Sequence, residues 1–222
     1  APEFHDADCS MEFEVLESGS ALGGRAQRKQ VAVHLKTAAA SLSFTMLMYL
    51  PSHIKSAPTF VNLNFHGNHT VHSDPEILIT NSWVRETEWS DGDKASEKGR
   101  GHSAPRYALD EIIDRGYGLL TVYYGDLDPD FDDNCQNGLH ALFPDAPAAV
   151  NPDARWGSIA AWSWGLQRVM DYCEHDSAID DKRVAVMGQS RLGKTALWSG
   201  ALDQRFALII SNNSGCGGAA LS

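Results

Sequence analysis

Two apolar rhythms alternate along the chain. Short runs rich in β-branched and aromatic residues, "VAVHL" (31–35), "FTMLMYL" (44–50) and "TFVNLNFHG" (59–67), predict strands. Small residues separate the first two, which are expected to pair antiparallel, and Gly67 stops the third. "GLLTVYY" (118–124) and "RVAVMG" (183–188) are almost wholly apolar, the pattern of strands buried on both faces, and "FALIISN" (206–212) predicts a further strand. Between them the period becomes helical. "APRYALDEIIDRG" (104–116) places Tyr107, Ile112 and Ile113 on one side, with Ser103 as cap and Gly116 as stop. "SIAAWSWGLQRVMDYCEHD" (158–176) lines up Ile159, Trp162, Leu166, Val169 and Cys173, and "LGKTALWSGAL" (192–202) predicts another helix.

Strands alternating with helices give an α/β fold class, with a mostly parallel sheet covered on both faces. Such sheets carry their chemistry at the strands' carboxyl ends. Residues 1–43 are expected to form an N-terminal extension and a first antiparallel strand, and 44–222 the α/β unit. The polar stretch from 68 to about 103 is long for a loop, and long loops commonly serve function.

The 222 residues suffice for one large α/β domain or two small ones. Eighteen Lys and Arg against 29 Asp and Glu give a formal charge of −11, which argues against a nucleic-acid or anionic-membrane partner. No apolar run approaches a membrane span, and "APEFHDADCS" carries no signal-peptide pattern. Cys9, Cys135, Cys173 and Cys216 are scattered without a C-x-x-C pair, which disfavours a zinc site; buried apolar roles are expected, with a single bridge left open.

The candidate chemistry lies in "GQSRLGKT" (188–195), which satisfies two signatures. As G-x-x-x-x-G-K-[ST] it is a phosphate-binding loop. That reading needs a later strand ending in Asp to hold magnesium, whereas "FALIISN" ends in Ser and Asn. As a Gly-x-Ser turn it lifts Ser190 above the sheet as a nucleophile, beside a helix N-terminus suited to an oxyanion and next to the Arg191 cation. Position 192 is Leu instead of the small residue of G-x-S-x-G, the glycine falling at 193. A solvated Ser-Arg pair capping a helix is the competing structural role. The residues alone leave those last two open.

The segment "VAVMGQSRLGKTALWSGALDQRFALIISNNSGCGGAALS" resembles the core of the glucuronoyl esterases, carbohydrate esterase family fifteen, through G-x-S-R-x-G-K and a later S-G-x-G-G. "LNFHGNHTV", "GYGLLTVYYGDLDPDFDD" and "WGSIAAWSWGLQRVMDY" are similar to its bacterial branch, so the likeness spans residues 44–222. It implies the N-terminal portion of an α/β-hydrolase domain, a three-layer sandwich incomplete on its C-terminal side. It also implies cleavage of the ester joining 4-O-methyl-glucuronic acid of glucuronoxylan to lignin alcohols, in a secreted or periplasmic enzyme without a cofactor. By position Ser190 becomes the nucleophile, Arg191 an oxyanion stabiliser and Lys194 a ligand of the uronic-acid hydroxyls. Lys194 lies one helical turn beyond Ser190 and so on the same side.

Other residues carry blander expectations. His66, His69 and His72 are expected to be loop or cleft-lining residues. Asp126, Asp128 and Asp130 are spaced like a calcium loop but lack its glycine and terminal Glu, so a capped turn without metal is expected. Trp156, Trp162 and Trp164 are candidates for sugar stacking, with core packing the default for Trp162. All nine histidines precede Ser190, and Asn213 stands where some members place the acid. α/β-Hydrolases order the triad serine, acid, histidine. Acid and base are therefore expected from a C-terminal remainder, and residues 1–222 alone are expected to be inert.

Overall fold

The computed structural model describes residues 9–144, 156–215 and 219. Seven strands among these residues form one sheet: β1 (Ser10–Ala21), β2 (Ala26–Lys36), β3 (Ser41–Pro51), β4 (Ala57–Asn64), β5 (Gly118–Tyr123), β6 (Ile179–Gln189) and β7 (Leu208–Asn212), in the order β1-β2-β3-β5-β4-β6-β7. Antiparallel pairing joins β1, β2, β3 and β5, while β5, β4, β6 and β7 run parallel. The parallel strands are linked through helices, as crossover connections require. Among the described residues five α-helices accompany them: α1 (Leu109–Asp114), α2 (Tyr124–Leu127), α3 (Gly138–Leu142), α4 (Ser158–His175) and α5 (Arg191–Leu202).

Strand periodicity divides the core into two layers. On one face Val31, Met46, Met48, Val61, Leu120, Val122 and Val186 pack with Trp162, Leu166 and Val169 of α4 and with Leu192 and Ala196 of α5. On the other, Leu47, Tyr49 and Leu119 meet Leu109 and Ile113 of α1. The stripe on α4 therefore does what its spacing indicates. Trp164 is buried as completely as Trp162 and both pack in the core, while Trp156, also buried, lines a cavity with His140 and Phe143. Cys9 and Cys173 are buried as small apolar residues, and Cys216 lies outside the described residues. Among the described residues no helix is long and apolar enough to cross a membrane.

The segment 104–116 departs from its expected single helix. Ala104–Arg106 is a 3-10 turn containing Pro105, Ser103 makes no capping hydrogen bond, and α1 begins only after Ala108, whose φ is 42°. Across this break Tyr107, Leu109, Ile112 and Ile113 all still reach the smaller core layer. Gly116, at φ 81°, ends the segment as expected. β1 is the element that apolar content least announced: an edge strand in which Glu alternates with Met, Phe and Val.

Candidate active site

The carboxyl ends of β4, β5 and β6 converge, and each delivers a different part of the site. β6 turns directly into α5 at Ser190, which holds φ 58° and ψ −131°. A residue with a Cβ rarely adopts that conformation, so it marks a position held by its surroundings. Ser190 N–H donates to Asn212 O at 2.9 Å, tying the turn to β7, while its own carbonyl accepts from Gly193 and Lys194 and opens the helix. Ser190 occupies the N-cap position, yet its side chain makes no capping hydrogen bond and is exposed. The capping role is thereby excluded, and the hydroxyl stands free above the sheet.

Crowding explains the glycines. A Cβ on Gly188 would overlap the carbonyl oxygen of Leu192, and one on Gly193 would overlap Ser214 Oγ. The second small residue is thus demanded at 193, while Leu192 points into the core. This accounts for the departure from G-x-S-x-G. The phosphate-loop alternative finds no support at the neighbouring strand end, where β7 stops at Asn212 and is followed by Asn213 and Ser214.

The first N–H groups of α5 lack intrahelical acceptors and carry the positive end of the helix dipole. Arg191 adds a full charge. One of its terminal nitrogens, Nη1, is bonded to Asp130 Oδ2, and its guanidinium carbon lies 6.0 Å from the centre of the Phe65 ring. Lys194 is half-buried on the same helix and has no side-chain hydrogen bond or ion pair among the described residues. A cavity of about 280 Å³ adjoins the turn, lined by Phe65, His66, Arg106, Tyr107, Gln189 and Asn212 among others.

The three histidines separate in role. His66 lines that cavity, and burial, aided by the charge of Arg106, holds its imidazole below the ordinary value. His69 is fully buried between Gly67 and Gly99, and burial pushes it down to about 4. His72 packs 6.0 Å from Tyr49 and accepts from Asp74 N–H. None of the described residues donates to or accepts from the Ser190 hydroxyl.

The aspartates that resemble a calcium loop face separate protein partners. Asp126 accepts from Thr80, Asp128 bonds His140, and Asp130 serves two arginines. Sequence reasoning gave Asp130 only this loop role, because its partners Arg85 and Arg191 lie 45 and 61 positions away.

The fungal glucuronyl esterase family model matches residues 150–221. A carbohydrate esterase from an unknown prokaryotic organism, MZ0003, is 48% identical over 98% of this chain and 51% of its own length. Two solved structures cover the whole chain: a promiscuous CE15 esterase from a marine bacterial metagenome, at 46% identity and TM-score 0.86, and a glucuronoyl esterase from Solibacter usitatus, at 40% and 0.87. The chain spans 55% and 56% of those two, so it corresponds to about half the length of the relatives it matches. Their fold is that of α/β-hydrolases, in which a strand-to-helix turn such as the one at Ser190 presents the nucleophile. On sequence and structure together, the chain belongs to carbohydrate esterase family 15, the glucuronoyl esterases.

Proposed function

We propose that the full-length protein hydrolyses esters of 4-O-methyl-glucuronic acid, the linkage between glucuronoxylan and lignin alcohols, with Ser190 as nucleophile. The observation that carries this reading is the free Ser190 hydroxyl on a turn strained to φ 58° and bracketed by two sterically required glycines. Ser190 Oγ attacks the ester carbonyl carbon, its proton passes to a base, and the carbonyl oxygen becomes an oxyanion. The α5 N-terminus and Arg191 receive that charge. The alcohol then leaves with the proton, and water releases the uronic acid from the acyl-enzyme. Lys194, without a side-chain partner among the described residues, holds the sugar hydroxyls one turn along the helix.

Base and acid come from the part of the enzyme that follows in its longer relatives. Two observations support this: no described side chain bonds Ser190 Oγ, and Asn213 cannot supply the charge that orients an imidazole. Secretion or export to the periplasm follows from the polymeric substrate. The test compares full-length wild type and Lys194→Ala on a methyl glucuronate ester and on acetylated xylan. The reading expects preference for the glucuronate and a raised KM for it in the variant. Preference for the acetyl ester, indifferent to Lys194, would overturn it in favour of a deacetylase.

A further inference from the structure

Arg191 is itself held, and the group that holds it belongs to no part of the chemistry described above. Asp130 Oδ2 accepts from Arg191 Nη1, from Arg85 Nη2 at 2.9 Å and from the Tyr124 hydroxyl at 3.0 Å. Resting on the role of Arg191 given under Proposed function, we propose that Asp130 is a positioning residue that fixes the oxyanion arginine beside Ser190, with Tyr124 and Arg85 as its support.

Three features carry this. The first is rigidity. Tyr124 is almost fully buried, with its ring 5.4 Å from Phe65 and 5.0 Å from Trp162, so the hydroxyl that locates Asp130 is fixed by the core. Arg191 is substantially exposed, and an unheld arginine there would sample many rotamers. The bond to Asp130 and the Phe65 ring nearby restrict that freedom.

The second is donor accounting. A guanidinium has five N–H donors in a planar fork. Among the described residues Asp130 engages Nη1 and nothing engages Nε or Nη2, which leaves both for an oxygen at Ser190. The third is charge. A lone carboxylate would cancel the cation it holds, which would weaken its pull on an oxyanion. Arg85 shares the same carboxylate oxygen, so the Arg85–Asp130–Arg191 cluster keeps a net positive charge at the turn.

The test is a mutant cycle in the full-length enzyme: Asp130→Asn, Arg191→Ala and the double variant, with kcat, KM and melting temperature for each. Asparagine keeps the shape but loses the charge that grips the guanidinium. A misplaced catalytic group commonly costs up to about 100-fold. The expected result is a ~10- to 100-fold fall in kcat for Asp130→Asn with KM within about threefold, and no further fall when Asp130→Asn is added to Arg191→Ala. Multiplying losses in the double variant would mean that Asp130 acts independently of Arg191, and would overturn the proposal. So would an Asp130→Asn enzyme at wild-type kcat alongside an impaired Arg191→Ala. Wild-type kcat in Arg191→Ala would instead reject the oxyanion role itself, and the positioning role with it. Should Asp130→Asn prove unstable, the same cycle with Tyr124→Phe decides, since it removes only the supporting hydroxyl and should lower kcat less and in the same non-additive way.

Discussion

At Ser190 the backbone stores strain that the fold elsewhere offsets, and the glycines on either side show how little room the turn leaves. Replacing Gly188 by Ala should cost ~3 kcal/mol, the upper part of the range for overpacking, because the obstacle is backbone and cannot rotate away. Urea denaturation would measure it; a variant within ~0.5 kcal/mol of wild type would contradict the crowding argument. Arg191→Lys tests a different property. An ammonium cannot form the planar fork, and oxyanion charge exists mainly in the transition state, so turnover should fall by ~3 kcal/mol, roughly 100-fold, with KM little changed. A raised KM with turnover held would assign Arg191 to ground-state binding.

The residues of this turn were legible in the sequence because the whole motif is contiguous: eight residues carry strand end, serine, cation, small residue and lysine. Which glycine mattered was not legible, since only the packed turn shows that 193 meets Ser214. The Asp130 cluster was equally hidden, because the arginines gathered on one carboxylate carry no local pattern.

At the scale of elements, apolar runs identified the strands buried in the middle of the sheet, and helical spacing identified α4. The signal failed where burial is one-sided or local geometry intervenes. β1 is an edge strand with alternating glutamates, and the helix at 104–116 breaks at Ala108. A left-handed alanine costs ~1–2 kcal/mol relative to its preferred conformation. Ala108→Gly should therefore stabilise the protein by ~0.5 kcal/mol after the greater entropy of the unfolded glycine chain is subtracted. Destabilisation instead would show that the methyl group packs usefully.

His140 joins α3 to the segments around it. Its Nδ1 lies 2.9 Å from Asp128 Oδ1 and its Nε2 2.9 Å from the Trp156 carbonyl, so both partners are acceptors. Only the imidazolium can donate to both. Burial opposes the charge, but the hydrogen bond and charge of Asp128, with the Trp156 carbonyl, outweigh it and raise the pKa above its ordinary value. A raised folded-state pKa gives stability that is full below the unfolded value near 6.5 and lost as pH rises through the folded value. The stability gap between wild type and His140→Gln should shrink from pH 5.5 to 8.5. A flat gap would mean that folding leaves the pKa unchanged, and a widening gap that folding lowers it; either would contradict the charged imidazole.

At the scale of the molecule, one sheet places three strand ends at a single point and lets α5 aim its N-terminus there. The same sheet exposes Leu208, Ile209 and Ile210 on β7, with Leu197, Trp198 and Leu202 on the adjacent helix. Their exposure follows from a strand that has a partner on one side only among the described residues. Fold class was readable from alternation of elements, because layer architecture needs only their order. Which residues would act as acid and base was not readable, since all nine histidines precede Ser190 and no described side chain bonds its hydroxyl.

The central claim is that Ser190 is the nucleophile, and the most direct measurement is turnover of a methyl glucuronate ester by the full-length Ser190→Ala enzyme. Loss of the hydroxyl removes the covalent route while leaving Arg191, Lys194 and the cavity in place. The account predicts no hydrolysis above background, with glucuronate binding by calorimetry within a few-fold of wild type. Hydrolysis at more than a small fraction of the wild-type rate would contradict it.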